Sequence, residues 1–324
     1  MPYAIPGLGF VVDKTTGFIS YFVLQPGRKC FFDVLKAAGI LLILSNIKIF
    51  PLAWHFRFLA PIINNFYLHS KPPTRKELFS PYTIRSYAPL YEIDFNLHKS
   101  NSTYFSDLDI SRGALMSQLT KKTFSVRKGR GDPVMYIAVA GVSCLFWKEI
   151  KAYTYYEVTS RVLTWDGTKW LWIVSHFHSP LKGKRGKDGK VVLYASAMSK
   201  YCFKEGRKTI KPEDVLRDGG LLPRLPSGWN MPTATTTSIT STQGAESVSV
   251  SSRTKAVQED FQKLLMEVGH GQGDEYWTWA RIEQERERGQ YLANCMLGLD
   301  GLLDEFRTGE EEGLTHIGTF PGVV

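Results

Sequence analysis

Three polar side chains that could do chemistry occur at alternate positions of one short stretch. Asp94, Asn96 and His98 alternate with Phe95 and Leu97, so in an extended segment the three polar groups would project to one side. A carboxylate can act as a base or a nucleophile, an imidazole titrates near neutral pH, and an amide can hydrogen-bond to either group. The pattern therefore predicts a site for general acid–base or nucleophilic chemistry.

A structural role is the alternative interpretation of the same stretch. Asp and Asn before a helix often form Asx-turns and caps, and Asn101, Ser102 and Thr103 supply oxygens that could cap the helix that follows. Composition alone favours this capping role, so the case for chemistry depends on the order of the residues.

That order is Asp-x-Asn-x-His-x-x-Asn-x-x-Tyr, filled here by Asp94, Asn96, His98, Asn101 and Tyr104. It resembles the active-site segment of hotdog-fold thioesterases, and its spacing is most similar to that of plant acyl-carrier-protein thioesterases. It is also similar to the membrane-anchored single-hotdog proteins of animals and to the small thioesterases of fungal biosynthetic pathways. The resemblance covers residues 80 to 222 and does not reach the ends of the chain.

The resemblance implies an α+β hotdog fold, in which a long central helix is wrapped by an antiparallel sheet, with an acyl channel and a homodimer interface. It implies hydrolysis of acyl-coenzyme A or acyl-carrier-protein thioesters without a cofactor, in lipid or fungal secondary-metabolite biosynthesis. Asp94 would be the base or nucleophile, while Asn96 and His98 would position substrate and water. The start of the helix, at Asn101 to Thr103, would polarise the thioester carbonyl, with Tyr104 beside the substrate.

Three alternatives remain open beside this assignment. Many hotdog thioesterases carry the catalytic carboxylate on the central helix, which makes Asp107 and Asp109 the second candidates. A hotdog hydratase or dehydratase also pairs Asp with His in this loop, but with His five positions after Asp, whereas His98 lies four after Asp94. A non-catalytic acyl-binding or scaffolding module is the rival from another class.

The charge of the chain is high and uneven. The formal net charge is +9, from 40 Lys and Arg against 31 Asp and Glu, and the segment 255–312 is acidic while the remainder is basic. A basic body suits an anionic partner, such as a membrane surface, coenzyme A phosphates or an acidic carrier protein. We expect the basic loop 121–130 and the basic hairpin 182–190, with Lys184 and Arg185, to attract the phosphates of the carrier.

Several classes of protein and site are disfavoured. No nucleic-acid-binding motif and no Gly-x-Ser-x-Gly elbow occur. His176 and His178 share a strand face, but no third ligand suggests a metal, so a structural role is expected for both. Four widely separated cysteines and an N-terminus without a signal-peptide pattern favour an intracellular location, cytoplasmic or membrane-associated.

An apolar run in the N-terminal segment, residues 1–70, admits two interpretations. From Ala37 to Trp54 the only charge is Lys48, and the run approaches the length needed to span a bilayer. Aromatic and basic residues follow as far as Phe58, as at a membrane–water interface. The pattern thus predicts a membrane-associated segment, with a helix packed on the domain as the alternative.

A central helix and four strands are predicted to position the loop. Residues 71–82 have the prolines of a linker, and apolar side chains at steps of three and four then predict an amphipathic central helix in which Gly113 marks a kink or a close contact. Runs rich in β-branched and aromatic residues predict four strands, at 134–147, 152–165, 169–179 and 190–203. One early helix followed by antiparallel strands predicts an α+β domain over residues 79–222, independently of the motif.

The C-terminal third divides into two parts. Residues 226–254 are rich in Ser and Thr and predict a disordered linker. Residues 255–324 regain helical character and predict an acidic helical tail, which either packs on the domain or binds a partner.

Overall fold

The computed structural model describes residues 10–12, 19–21, 25–68, 71–181, 191–223 and 276–301 of the chain. The predicted basic hairpin at 182–190, the linker at 226–254 and the first part of the tail lie outside the described residues. The described helices are α1 (Gln25–Ser45), α2 (Ala53–Ile63), α3 (Asn101–Arg130), α4 (Pro212–Asp218) and α5 (Trp279–Leu297). The described strands are β1 (Phe10–Val12), β2 (Ile19–Tyr21), β3 (Tyr82–Tyr87), β4 (Met135–Phe146), β5 (Tyr155–Trp165), β6 (Trp170–His178), β7 (Leu193–Glu205) and β8 (Lys208–Ile210).

One antiparallel sheet forms the body of the domain. Its strand order is β3-β5-β6-β7-β4, with β8 paired to the end of β7, while β1 and β2 pair with each other. The four predicted strands correspond to β4 to β7. Sequence reasoning missed β3, which follows the predicted linker and pairs with β5 from Tyr82 opposite Ser160 to Tyr87 opposite Tyr155.

The long helix α3 lies against this sheet, so the predicted α+β hotdog architecture is confirmed. Leu115 and Leu119 pack among the sheet residues Val162 and Ile173, in one core cluster. A second cluster near the start of α3 contains Leu108. The burial of these apolar side chains provides the main driving force for wrapping the sheet around the helix.

The predicted basic loop at 121–130 is wrong, because these residues form the last turns of α3. Basic side chains are favoured at the C-terminal end of a helix, where they interact with its dipole. Arg127 is paired with Glu205, and Arg130 lies 2.6 Å from Asp218. These two arginines therefore hold the end of α3 against its neighbours.

The N-terminal segment also packs against α3. A side chain at Gly113 would place its Cβ 2.6 Å from the Phe58 ring, so the predicted close contact at Gly113 is confirmed. Asn65 Nδ2 donates hydrogen bonds to the Ala114 carbonyl (3.1 Å) and to Ser117 Oγ (2.8 Å). The helix that packs on the domain here is thus α2, which begins where the apolar run Ala37 to Trp54 ends.

The apolar run Ala37 to Trp54 is not one helix. It is divided by the end of α1 at Ser45, a 3₁₀ turn at Ile47–Ile49, and the start of α2 after Leu52, whose φ is 68°. Within the described parts of the chain, none of the helices has both the length and the apolar character that crossing a membrane requires.

The described part of the C-terminal tail packs on the sheet. Thr164 Oγ1 donates to the Arg286 carbonyl (2.7 Å), and the Arg286 guanidinium donates to the Trp165 carbonyl (3.1 Å). Trp279 and Ile282 are buried with the main core. The tail was predicted either to pack on the domain or to bind a partner, and α5 packs on the domain.

Gly289 allows α5 to approach β5, and its replacement tests this contact. A Cβ at this position would lie 2.3 Å from the Leu163 carbonyl oxygen, a backbone atom that cannot rotate away. We expect Gly289→Ala to lower the free energy of unfolding by about 1–3 kcal/mol, as overpacking does, although Ala favours a helix. The measurement is chemical denaturation.

Gly129→Ala is the matched control, because Gly129 also lies in a helix and a Cβ there meets nothing within 4 Å. It should leave the free energy of unfolding unchanged or raise it. Equal stability of the two variants would show that α5 does not sit on β5 in solution.

Candidate active site

The predicted site residues lie in a tight loop immediately before α3. A 3₁₀ turn at Leu90–Glu92 leads into the loop, which is closed by an antiparallel bridge between Ile93 and Lys99. The Asp94 N–H donates to the His98 carbonyl (3.0 Å), and Leu97 has a φ of 61°. The expectation of an extended segment is therefore wrong, because the chain turns back on itself between residues 94 and 98.

The turn brings two of the three predicted catalytic side chains together. His98 Nδ1 lies 3.7 Å from Asp94 Oδ1, and both side chains are partly exposed. The Asn96 backbone N–H donates to Asp94 Oδ1 (2.9 Å), while the Asn96 side chain is exposed. Among the described residues no hydrogen bond to Asp94 Oδ2 occurs, and 22% of the Asp94 side chain is exposed to solvent.

The start of α3 lies directly after the loop. Asn101 and Ser102 are exposed, and the Thr103 hydroxyl donates to the Ser100 carbonyl (2.7 Å). No side chain caps the helix at Ser100, so the expected capping by Asn101, Ser102 or Thr103 does not occur. The Asx-turn of the same structural interpretation is present, because the Asn96 N–H donates to Asp94 Oδ1. The first N–H groups of a helix point outward and carry partial positive charge, so they can stabilise a developing oxyanion.

Tyr104 belongs to the core of the domain. Its side chain is buried, and its ring centroid lies 5.1 Å from that of Phe146 and 4.9 Å from that of Phe177. Burial raises the pKa of the Tyr104 phenol well above its usual value, so the group is neutral. Tyr104 supports the first turn of α3 from inside.

Behind the loop lies a set of paired charged side chains, all buried except the partly exposed Arg57, that sequence reasoning missed. We call it the ionic cluster; it consists of Lys48, Arg57, Glu92, Lys99 and Asp107. Lys48 Nζ lies 2.8 Å from Glu92 Oε2 and 2.9 Å from Asp107 Oδ2, and Lys99 also pairs with Glu92. Arg57 lies 2.6 Å from Asp107 Oδ1. The one feature of the sequence that pointed to this cluster is Lys48, the only charged residue between Ala37 and Trp54.

Asp107 is the centre of this cluster and is fully buried. Burial alone would raise the pKa of its carboxyl, but Lys48, Lys99 and Arg57 hold that pKa well below its usual range. The Tyr156 hydroxyl also donates to Asp107. The Asp107 carboxylate is thus enclosed by charged and hydrogen-bonding partners and is not exposed to solvent, which favours a structural role.

The remaining candidates have other surroundings. Asp109 is paired with Arg112 three residues later. His176 Nδ1 lies 3.0 Å from Ser196 Oγ, and burial lowers the pKa of His176 to about 3. His178 lies between the Thr159 hydroxyl (2.8 Å) and the Ser179 carbonyl (2.9 Å).

No group of three metal-ligating residues occurs in the part of the chain that the structure describes. The candidate phosphate contacts Lys184 and Arg185 lie outside the described residues.

A long helix wrapped by an antiparallel sheet, with an Asp–His loop at its start, is the arrangement expected of a hotdog-fold thioesterase. No protein-family model matches the chain. The chain is 31% identical to thioesterase poxG of Penicillium oxalicum over 83% of its own length and 85% of that protein. It is 43% identical to probable thioesterase atnL of Emericella nidulans, over 59% of this chain and 72% of the relative. The chain therefore belongs to this family of fungal thioesterases, enzymes that hydrolyse thioesters.

One further relative in sequence and one solved structure are similar to this chain. Probable thioesterase YBR096W of Saccharomyces cerevisiae is 40% identical over 55% of this chain and 77% of that protein. Among solved structures, the chain is similar to the probable thioesterase YbaW of Escherichia coli, with 14% identity and a TM-score of 0.34, over 43% of this chain and 96% of that one. The assignment to the family rests on the sequence relatives.

Proposed function

We propose that the protein hydrolyses acyl thioesters of coenzyme A or of an acyl carrier protein, with Asp94 as the catalytic carboxylate. The observation that carries the proposal is the pairing of Asp94 with His98 in a partly exposed loop that leads directly into the start of α3. The relatives named as thioesterases in Emericella nidulans and Penicillium oxalicum support the thioester as the bond that is cleaved. Lipid or secondary-metabolite biosynthesis is the proposed setting of the reaction.

Two routes through Asp94 give the same products. As a base, its free oxygen takes a proton from water while the water oxygen bonds to the thioester carbon. As a nucleophile, the Asp94 oxygen itself attacks the thioester carbon and forms an anhydride, which water then hydrolyses. In both routes the C–S bond breaks and the products are a thiol and a carboxylic acid. In the first route Asp94 passes the proton it took from water to the leaving thiolate, and in the second the water that hydrolyses the anhydride supplies that proton.

The neighbouring groups have supporting roles in this proposal. His98 and Asn96 position the substrate and the attacking water, and the Asn96 N–H orients the carboxylate of Asp94. The N–H groups at Asn101 to Thr103 stabilise the negative charge that develops on the carbonyl oxygen. Lys184 and Arg185 remain proposed contacts for the phosphates of the carrier.

We also propose that two copies of the chain form a dimer through β4. This strand lies at one end of the sheet, and an edge strand presents unpaired backbone groups that another strand can bind. Large apolar side chains on and beside β4 are exposed, including Tyr136 (60%) and Leu145 (57%). The C-terminal end of β4 packs near Tyr104, so a partner at this edge would lie close to the catalytic loop.

The third proposal is that α1 binds a membrane surface. Its side chains from Phe31 to Leu44 are exposed although most are apolar, with Phe31 61% and Leu41 68% exposed. Apolar surface of this extent marks an interaction site, and a helix can lie in the bilayer interface without crossing it. The end of α1 adjoins the catalytic loop, since Asn46 Oδ1 accepts the Tyr91 N–H (3.0 Å).

The assignment of Asp94 is tested with two isosteric variants. Asp94→Asn should reduce kcat by about 10²–10⁴-fold, the usual contribution of a positioned acid or base, and should leave Tm unchanged because Asn can still accept the Asn96 N–H. Asp107→Asn should instead lower the free energy of unfolding by about 3–5 kcal/mol, because the buried Lys48 and Lys99 and the partly exposed Arg57 lose a carboxylate that all three share. Thiol release from acyl-CoAs of different chain lengths and thermal melts are measured on the same preparations.

His98→Ala should lose less activity than Asp94→Asn if it only positions substrate. Full hydrolysis by Asp94→Asn would move the catalytic assignment to Asp109. Binding of acyl-CoA by the wild type without thiol release would point to an acyl-binding module.

The dimer is tested by charging the β4 edge. The double variant Tyr136→Lys/Leu145→Lys should be monomeric by light scattering after gel filtration, because it places charge in the proposed interface. Tyr291→Lys, at a position 69% exposed on α5, is the control and should remain dimeric. A monomeric wild type, or a double variant that stays dimeric, would contradict the proposal.

The membrane contact is tested with a truncation that begins at residue 45, which keeps Asn46 and Lys48. The full chain should co-sediment with phosphatidylcholine–phosphatidylserine vesicles, and the truncated chain should remain in the supernatant. Leu41→Glu/Leu44→Glu should also weaken sedimentation, whereas Leu292→Glu on α5 should not. If the truncated and full chains sediment equally, α1 is not the membrane contact.

A further inference from the structure

We infer that Lys48 is a positioning residue for the catalytic loop, so that the N-terminal segment forms part of the active-site scaffold. The inference rests on the proposed role of Asp94 and His98. It assigns a function in catalysis to a side chain that precedes the sheet in sequence and does not touch the reacting atoms.

Lys48 joins three separate parts of the molecule. It lies in the 3₁₀ turn between α1 and α2 and is 6% exposed. Its Nζ is 2.8 Å from Glu92 Oε2, before the loop, and 2.9 Å from Asp107 Oδ2, on α3. It also donates to the Tyr87 carbonyl at the end of β3 (2.8 Å). A single ammonium group thus connects the loop, the central helix and the sheet.

Glu92 and Lys99 form the base of the catalytic loop. They flank residues 93–98, and their side chains pair with each other. The Ser100 N–H also donates to the Glu92 carbonyl (2.8 Å), which ties the start of α3 to the strand side of the loop. A shift of the Glu92 side chain would therefore move Asp94 and His98 relative to the helix start, where the carbonyl must bind.

Docking of the N-terminal segment does not by itself need a buried charge. Asn46, Phe58 and Asn65 already hold the segment against the domain. Removing an ammonium group from water is costly, and an apolar side chain of similar size often packs as well or better. The Lys48 ammonium group donates to Glu92 at the base of the loop. This contact points to a role for the charge in fixing the loop.

The charge balance of the ionic cluster makes this role testable. The cluster has three cations and two carboxylates, so removing either Lys48 or Arg57 leaves two of each sign. Arg57 contacts Asp107 and the Ser86 hydroxyl, but no residue of the loop or its base. Lys48→Met and Arg57→Met are therefore matched in charge and differ in their connection to Glu92.

We expect Lys48→Met to lower kcat by about tenfold or more, because small misplacements of catalytic groups are costly, while KM changes little. Arg57→Met should keep the kcat of the wild type even if its Tm falls. Lys48→Arg, which keeps the charge, should recover part of the lost kcat. Equal kcat for Lys48→Met and wild type, or parallel losses of kcat in both Met variants, would overturn the inference.

A double-mutant cycle provides a second readout. If Lys48 acts through Glu92, Lys48→Met/Glu92→Gln should lose no more kcat than the more damaged single variant, since interacting residues are non-additive. The double variant also restores the net charge of the cluster, so it remains informative if a single variant does not fold. Additive losses in the cycle would contradict the inference.

Asp94→Asn in the same assay separates the two failures. A fully active Asp94→Asn enzyme would remove the proposed catalytic role of Asp94, on which the inference rests. An inactive Asp94→Asn enzyme together with a fully active Lys48→Met enzyme would remove only the role of Lys48.

Discussion

The burial of the Asp107 carboxylate is the constraint on which the arrangement around the active site depends. A fully buried carboxylate must either be protonated or be surrounded by cations and hydrogen-bond donors. Here the N-terminal segment supplies Lys48 and Arg57, and the end of the loop before α3 supplies Lys99. The requirement to neutralise one carboxylate on α3 therefore brings the N-terminal segment and the loop before α3 to the same place.

This constraint explains why α3 is covered on more than one side. The sheet packs against it with apolar side chains, as in the expected hotdog arrangement, and α2 covers another side through Phe58 and Asn65. Farther out, α5 crosses the opposite face of the sheet, where Met296 lies 3.4 Å from the Cβ position of Gly141 on β4. The segments before and after the predicted domain thus both pack on it in the described structure.

The parts of the fold that were predictable from sequence are those with a strong local pattern. Strands β4 to β7 carry dense β-branched and aromatic residues, and α3 carries an apolar stripe. Strand β3 was missed because it is short and has the alternating exposure of an edge strand. The strongly basic composition of residues 121–130 predicts a loop, but these residues are helical and their charges are matched by partners distant in sequence, such as Glu205 and Asp218.

The site was predictable only in part for a similar reason. The order of Asp94 and His98 was visible, but their approach depends on Leu97 adopting a positive φ, a conformation that a leucine gives no reason to expect. The ionic cluster was hidden because its five members span residues 48 to 107, and long-range pairing of charges leaves no periodic signal. Lys48 was the one exception, since a single charge in an apolar run must find a partner.

The spacing between Asp94 and His98 also follows from this structure. The hydrogen bond from the Asp94 N–H to the His98 carbonyl closes the loop, so position 98 is the last residue before the chain pairs with Ile93. Position 99 is occupied by Lys99, whose fully buried side chain pairs with Glu92 and Asp107. A histidine five positions after Asp94 would replace this lysine and remove a cation from the ionic cluster. The four-residue spacing that separates this chain from the hydratase pattern is therefore compatible with the cluster, whereas a five-residue spacing is not.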